Sequence, residues 1–404
     1  VLCDNNRRQG MSIEGLINGV ITNSTFRNTG GTAPQAGVDI EPYSATNLAK
    51  NIRFSNCYFY DNAGPGFLIA GKATTGDNIE NIVLENSSIY RNRDTTGDNG
   101  LGSQIGTFNA SNIQILGCNI EGYLTNRCIY INGGKNYILA NSILKNGEIS
   151  VRAGNYMTTA YNVKIDNCIL EINRAANGDG MIFTASACHD ITINNVTINN
   201  TSTGLSDTGR AIKVAGKRIK VSGGRILNNS RGIETEATAE NCDFTGINVE
   251  DCGLVSFLIR GSGHRVLRNT VAGSCWNNNG QPTITMSGAS DNVQITGNTF
   301  ILDPISGIDR GSNRSGRIIS YDASTNTSVV KENKVAGTYP LFASAGRPNT
   351  TNVVQEDGTV MSGTTAQRPT GVLLKAGFPY NDNTLSKTIT YSGTLWRDAM
   401  GTTV

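Results

Sequence analysis

A twelve-residue frame recurs along most of this chain. It reads NIRFSNCYFYDN from position 51, NIVLENSSIYRN from 81, NIQILGCNIEGY from 112, NYILANSILKNG from 136, NVKIDNCILEIN from 162 and DITINNVTINNT from 190. Fainter copies begin at 218, 241, 264, 292 and 327, and NGVITNSTFRNT at 18 precedes them all, so that twelve copies stand 23 to 35 residues apart. A period of this size belongs to a solenoid, in which each repeat buries its apolar face only against its neighbours.

The fourth position of the frame is apolar in every copy, from Ile21, Phe54 and Leu84 to Leu267, Ile295 and Val330, and so is the ninth, from Phe26 and Phe59 to Phe300 and Val335. Two short strands therefore face one interior. Between them the sixth position carries Asn23, Asn56, Asn86, Asn141, Asn167, Asn195 and Asn269, or Gly in four other copies. Asn and Gly enter the left-handed backbone region most cheaply, so the chain bends there without a loop, and stacked Asn side chains can hydrogen-bond along the stack. A third strand precedes most copies as two apolar residues flanking one, among them Val38 and Ile40, Phe67 and Ile69, Ile129 and Ile131, Met181 and Phe183. Three strands per turn and a period near 28 define the expected fold: all-β, a right-handed parallel β-helix of about twelve rungs over residues 1–338. Each buried apolar side chain contributes roughly 1.5–3 kcal/mol, so such a stack has ample core. After about Tyr339 the frame stops, and TITYSGTLWRDA reads as a hairpin turning at Ser392 and Gly393, a small β appendage in residues 339–404 that could serve trimerisation or form a tip.

Composition narrows the function. There are 34 basic against 32 acidic side chains and no basic run, which speaks against a nucleic-acid partner. No apolar run is long enough for a membrane span. The nine cysteines form no CxxC pair and there are only two histidines, so a Cys/His metal site has little to draw on, and neither a metal nor a cofactor is expected. Cys57, Cys118 and Cys168 fall at the small inward seventh position, as core filler. The start VLCDNN is neither a signal peptide nor a natural beginning, so a longer parent chain is expected.

In the third strand, the residue between the two inward ones and the residue after them are expected to point outward, to solvent. This predicts two outward columns: Ser12, Asp39, Leu68, Tyr130, Ser150, Ile182, Lys213, Glu234 and Leu258, beside Glu14, Glu41, Ala70, Asn132, Arg152, Thr184, Ala215, Glu236 and Arg260. Rungs lie about 4.8 Å apart and same-face neighbours on a strand about 6.6 Å apart. Glu14, Asp39 and Glu41 thus form one acidic group whose members cannot all ionise normally, the condition for a general acid beside a base or nucleophile in glycoside hydrolysis. The same group could instead be structural, or hold Ca²⁺. Arg7, Arg8 and Lys72 are close enough in sequence to offset part of the repulsion. Glu234 and Glu236, in RGIETEAT, form a second candidate catalytic pair, with Lys213 and Arg260 on neighbouring rungs as candidate substrate-binding residues. That arrangement reads equally as a salt-bridge ladder worth little. Tyr130 and Arg152 could stack on sugar rings or neutralise an acidic sugar, or act as base and neutraliser in a β-elimination. His189 and His264 read as structural, and the two TTGDN segments at 74–78 and 95–99 as turns.

The repeat with its Asn turns resembles the pectate-lyase-like β-helices, and within them the tailspikes of bacteriophages. The segments that carry the phage likeness are RRQGMSIEG at 7–15, AGVDIEP at 36–42 and the block from QRPTGVLLKAGFPYNDN to the C-terminus. The resemblance implies a homotrimeric virion-tail depolymerase that binds and cuts a bacterial capsule or O-antigen at the host surface, with a separate virion-attachment domain. A non-catalytic receptor-binding tail protein and a polysaccharide lyase are the alternatives it leaves open. The paired aspartates and GHG loop of polygalacturonases do not occur, and RIK at 218–220 is a chance match.

Overall fold

The computed structural model describes residues 1–93, 102–123, 127–173, 180–201, 209–273, 282–288, 290–301, 319–321, 328–336, 353–355, 361–363, 365 and 379–404. The chain forms two compact units, Val1–Ile233 and Glu234–Val404. Among the described residues there is no α-helix, and no helix is long and apolar enough to cross a membrane.

The first unit is a stack of parallel strands, three per rung, as the repeat predicts. One ladder runs Leu2–Asp4, Thr25–Arg27, Tyr58–Tyr60, Ser88–Tyr90, Asn119–Glu121, Ile143–Lys145, Ile169–Ile172, Thr197–Asn200 and Arg225–Leu227. A second joins the strands that open each frame, including Leu16–Thr22, Ala49–Ser55 and Ile79–Glu85. A third joins Gln9–Ile13, Ala36–Ile40 and Phe67–Ala70, and in two rungs the second and third strands merge into the 14-residue strands Ser103–Leu116 and Arg127–Ala140. Apart from the half-buried Ile21 of the first copy, frame positions four and nine in this unit are buried as expected: Phe54, Phe59, Leu84, Ile89 and Phe26 are all at most 1% exposed. Phe26 and Phe59 stack on adjacent rungs at 5.2 Å, while Phe67 meets Phe54 and Phe59 edge-on.

The bends are more regular than the sequence suggested. Left-handed residues occur at the first, sixth and eleventh frame positions, for example Asn51, Asn56 and Asp61 (φ 56°, 54° and 55°), then Asn81, Asn86 and Arg91 (57°, 48° and 52°). Three such residues, five apart, set the corners of a rung. The hydrogen-bonded Asn ladder runs through the first position rather than the sixth: Asn51 donates to Asn18, Asn81 to Asn51, Asn136 to Asn112 and Asn162 to Asn136, at 2.6 to 3.0 Å. A second ladder is internal. Buried Asn62 donates to Asn92, and Asn92 to Gln104, both at 2.8 Å.

The second unit has the same construction within itself, through Asp243–Thr245, Arg265–Leu267, Val293–Thr296, Ser328–Lys331 and Val353–Gln355, in parallel register. The copy expected from 264 is shifted by one: Val266 and Val271, not Leu267 and Ala272, pair with Phe244 and Val249, and the left-handed corner is Arg268 (φ 52°) rather than Asn269. Arg268 hid the corner because Arg seldom adopts that conformation. Asn269 is instead buried and starts an internal Asn269–Asn298–Asn333 ladder. The expected boundary near 338 falls among residues outside the described ones, as do RPTG at 368–371 and TTGDN at 95–99. The C-terminal hairpin pairs Lys387–Tyr391 with Trp396–Asp398, closed by Ser392 N–H on the Leu395 carbonyl, so its turn is two residues longer than expected. Pro379–Asp382 adds an antiparallel strand on its other side.

Cys57, Cys118 and Cys168 are buried thiols at the seventh position, and burial pushes the Cys118 thiol up to about 11.

Candidate functional site

The register of the third ladder fixes which predicted residues share a face. Ser12 pairs with Asp39 and Asp39 with Leu68; Leu68 with Gly106, Gly106 with Tyr130, Tyr130 with Ser150, Ser150 with Phe183 and Phe183 with Lys213. Beside them run Ala70, Phe108, Asn132 and Arg152. Two corrections follow. The rung carrying Gly106 and Phe108 went unread because its second inward residue is Thr107, which breaks the apolar pattern. The next error is a one-residue slip: Ile182 and Thr184 point inward, both fully buried, and Phe183 takes the outward place assigned to Ile182. The unbroken apolar run MIF concealed that parity.

The expectation that this face lies open to solvent is also overturned. Asp39 is 0% exposed, and Leu68, Tyr130, Ser150 and Phe183 are buried. Long neighbours cover the column: Gln9 reaches Asp39, the Phe108 ring lies against Tyr130, and Arg152 lies over Phe183.

At the N-terminal end, Ala36–Ile40 is buried throughout, so Asp39 is held in a strand with no solvent contact. Gln9 Nε2 donates to Asp39 Oδ2 at 3.0 Å, whereas Oδ1 has no hydrogen-bond partner among the described residues. Burial, more than the Glu41 carboxylate, pushes the Asp39 carboxyl up to about 6, against the smaller opposing pulls of Gln9, Arg8 and Lys72. The sequence predicted a raised carboxyl in this group but attributed it to mutual repulsion. Glu41, one residue past the strand, sits 3.5 Å from Lys72 Nζ with both side chains one-third exposed. Its N–H donates to the Ile13 carbonyl, so Glu14 follows on the adjacent rung, exposed. The structure therefore brings Asp39 and Glu41 onto one strand end, with Glu14 beside them. Gln9 was missed, since nothing local marks it as a partner of a residue thirty positions away.

Farther along the first unit, Arg127 lies over the Tyr130 ring at 5.0 Å. Arg152 Nε donates to Ser150 Oγ at 2.9 Å and its guanidinium lies 4.6 Å from the Phe183 ring centre, with Lys213 Nζ at 5.6 Å from that ring. Phe108, Arg127 and Phe183 were not read from the sequence; only the register reveals them.

In the second unit, Glu234 is 1% exposed and receives Arg260 Nη1 at 3.2 Å; the same nitrogen reaches Glu236 Oε2 at 3.5 Å. Thr235 is buried between them, its hydroxyl donating to the Arg260 carbonyl and accepting from the Arg260 N–H, both at 2.7 Å, which accounts for a Thr at an inward position. Arg260 thus clamps both carboxylates rather than Glu236 alone. Lys213 belongs to the first unit and Glu234 to the second. His264 is fully buried, with Nε2 donating to the Arg260 carbonyl and Nδ1 accepting from Cys242 N–H, and burial lowers its pKa, so it is a neutral structural group. His189 stacks on Tyr161 at 5.2 Å and contacts Asp190. Among the described residues no group of His, Cys, Asp and Glu could hold a metal ion.

No family model and no curated protein matches this chain. Solved structures do. The N-terminal fragment of bacteriophage phi29 gene product 12 is 16% identical with a TM-score of 0.63, covering 89% of this chain and 64% of that one. Tailspike protein 3 of bacteriophage CBA120 is 11% identical with a TM-score of 0.50, covering 100% of this chain and 63% of that one. A double mutant of the tailspike of E. coli bacteriophage HK620 is 12% identical with a TM-score of 0.50, covering 81% and 62%. The fold is that of phage tailspikes. At these identities the likeness concerns the tailspike β-helix itself, and the chain spans less than two thirds of each of these structures.

Proposed function

We propose that this chain is part of a phage tailspike that binds and depolymerises a bacterial surface polysaccharide, capsule or O-antigen, by hydrolysis with Asp39 as general acid and Glu41 as base or nucleophile. One observation carries the reading: a fully buried carboxylate with one unpartnered oxygen and a carboxyl pushed up to about 6, placed two residues from a second, partly exposed carboxylate. Burying a carboxyl without a cation against it costs stability, and a protonated carboxyl is what a leaving glycosidic oxygen needs. Lys72 stands 3.5 Å from Glu41, whereas Asp39 has no cation in contact among the described residues, and this difference separates the two roles. Glu14 adds negative potential from the adjacent rung. Tyr130, Arg152 and Lys213 extend the same face as substrate contacts, while Arg260, Glu234 and Glu236 serve as a structural ion cluster. The tailspike fold supports a homotrimer acting at the host cell surface on a virion tail.

A lyase is the second reading, favoured by the Tyr130 phenol beside the Arg127 guanidinium, a base next to a charge neutraliser. Digestion of purified capsules from a strain panel distinguishes the readings. Saturated oligosaccharides with new reducing ends, lost in Asp39→Asn and in Glu41→Gln while both variants stay folded, support hydrolysis. Products absorbing in the ultraviolet and lost in Tyr130→Phe support elimination. A glycan bound but not cut supports a non-catalytic receptor-binding protein.

A further inference from the structure

We propose that Gln9 is a side-chain gate over Asp39: in the free protein it closes the carboxyl from solvent, and a bound glycan displaces it, so that substrate binding and protonation of the acid are coupled. The inference deepens the reading of Asp39 as general acid and rests on it. It starts from a tension in that reading, since Asp39 is 0% exposed and an acid must meet the oxygen it protonates.

The geometry singles out one movable group. Gln9 opens the strand Gln9–Ile13, in which Gln9 pairs with Ala36 and Ser12 with Asp39. The main chain on either side is pinned: the Asn6 carbonyl accepts from Gly30 N–H and the Arg7 carbonyl from Thr32 N–H, both at 2.9 Å. A Cβ at Gly10 would stand 2.5 Å from the Gly37 carbonyl oxygen, so the two strands meet there without room for a side chain. What is left to move is the Gln9 side chain, which is half-buried where Asp39 is fully buried. Uncovering the acid then needs a new rotamer at one residue rather than the opening of a loop, and such changes are fast.

The hydrogen bonds show why displacement bears on the proton. Gln9 Nε2 donates to Asp39 Oδ2 at 3.0 Å, while Oδ1 has no partner among the described residues. An N–H donor favours the carboxylate, and Gln9 is the largest of the pulls that oppose the effect of burial on Asp39. The charged groups that act on Asp39 are Glu41, Arg8 and Lys72, and all act from a distance. Arg8 is turned aside, its Nε donating to the Ala33 carbonyl at 3.1 Å, and Lys72 stands against Glu41. A neutral amide is therefore what meets the carboxyl, and it leaves without stranding a charge. A glycosidic oxygen carries no hydrogen and can only accept. Where it replaces the Gln9 amide, a donor gives way to an acceptor, and the carboxyl must supply the hydrogen itself. Asp39 takes that proton from water as the glycan binds. It then passes the proton to the glycosidic oxygen, whose bond to the sugar carbon breaks with the electron pair staying on the leaving oxygen, and Asp39 is left as a carboxylate that Gln9 can cover again.

The test follows reducing-end release from a susceptible capsule against pH for wild type, Gln9→Met and Gln9→Lys, with melting curves to show that each is folded. The fall of kcat/KM at high pH reports the acid in the free protein, and that of kcat the acid in the complex. In wild type the kcat limb should lie at least about one pH unit above the kcat/KM limb. Gln9→Met has similar length and no donor, so its kcat/KM limb should rise and the gap shrink to less than about half. Gln9→Lys puts an ammonium on the carboxylate, and its kcat/KM at about pH 7 should fall at least about tenfold, with the limb moved to lower pH. Coincident limbs in wild type, or a gap unchanged in Gln9→Met, overturn the gate while leaving Asp39 as the acid. A wild type that cuts no glycan, or an Asp39→Asn variant as active as wild type, overturns the hydrolytic reading and the gate with it.

Discussion

Asp39-Ile40-Glu41 and Glu234-Thr235-Glu236 have the same spacing of two carboxylates, and in each the first is buried and the second partly exposed. Their electrostatics are opposite. In the second unit one guanidinium, Arg260, reaches both carboxylates, and the Thr235 hydroxyl locks the Arg260 backbone beside them. In the first unit the only cation in contact among the described residues is Lys72, on the outer carboxylate at 3.5 Å, and Asp39 has one amide donor. The difference lies in where the positive charge stands relative to the buried oxygen. A guanidinium against a buried carboxylate favours the ionised form and a fixed geometry. Burial without one favours the proton and leaves chemistry available.

The sharpest way to break this contrast is to remove the cation. Arg260→Met should destabilise the protein by about 3 kcal/mol, because it takes the charge from a buried carboxylate. Chemical denaturation measures this, and a change below about 1 kcal/mol would mean that the Arg260 cluster is not structural. The first unit should respond in the opposite direction. Asp39→Asn should raise stability at about pH 8 by up to about 3 kcal/mol, since a tenfold change in proton affinity corresponds to roughly 1.4 kcal/mol. The folded protein holds the Asp39 proton up to about 6 while the unfolded chain releases it near 3.8, so the native state binds more protons in that window. The stability contributed by Asp39 is therefore complete below about 3.8 and lost as pH rises through about 6, and the gain in Asp39→Asn should fade to nothing by about pH 4. Melting curves at the two pH values check this. The smallest effect belongs to Lys72→Met, whose partly exposed pair with Glu41 is worth under about 1 kcal/mol, but which should lower activity more than it lowers stability if Lys72 holds the Glu41 carboxylate in place.

The fold was legible because its determinants are local and repeated. Apolar residues at positions four and nine, and Asn or Gly between them, specify strand, corner and strand within twelve residues, and stacking supplies the rest. The errors came where an inward place is polar or an outward place apolar. Thr107 and Thr184 are buried polar residues that broke the pattern, and Phe183 is an outward aromatic that looked like core. The left-handed corners at the eleventh position escaped notice because Asp61 and Arg91 stand there, whereas the first position carries Asn in most copies, the same signal as the sixth.

The acidic group was readable from spacing alone, since AGVDIEP places two carboxylates on one side of a strand whatever lies beside it. Its electrostatics were not. Whether Asp39 is exposed depends on side chains from neighbouring rungs, and its donor Gln9 comes from the preceding rung. The same applies to Arg152, whose orientation over Phe183 depends on a serine two residues before it and a ring one rung on.

The central claim is that burial without a cation makes Asp39 the acid. The measurement that addresses it most directly is the rate of reducing-end release from a susceptible capsule by the wild-type protein between about pH 5 and about pH 8. The account predicts a rate that falls as pH rises through about 6, tracking loss of the Asp39 proton, and a loss of roughly 10²-fold or more in Asp39→Asn across the range. A rate that stays level or rises between about pH 6 and about pH 8, with Asp39→Asn as active as wild type, would contradict it.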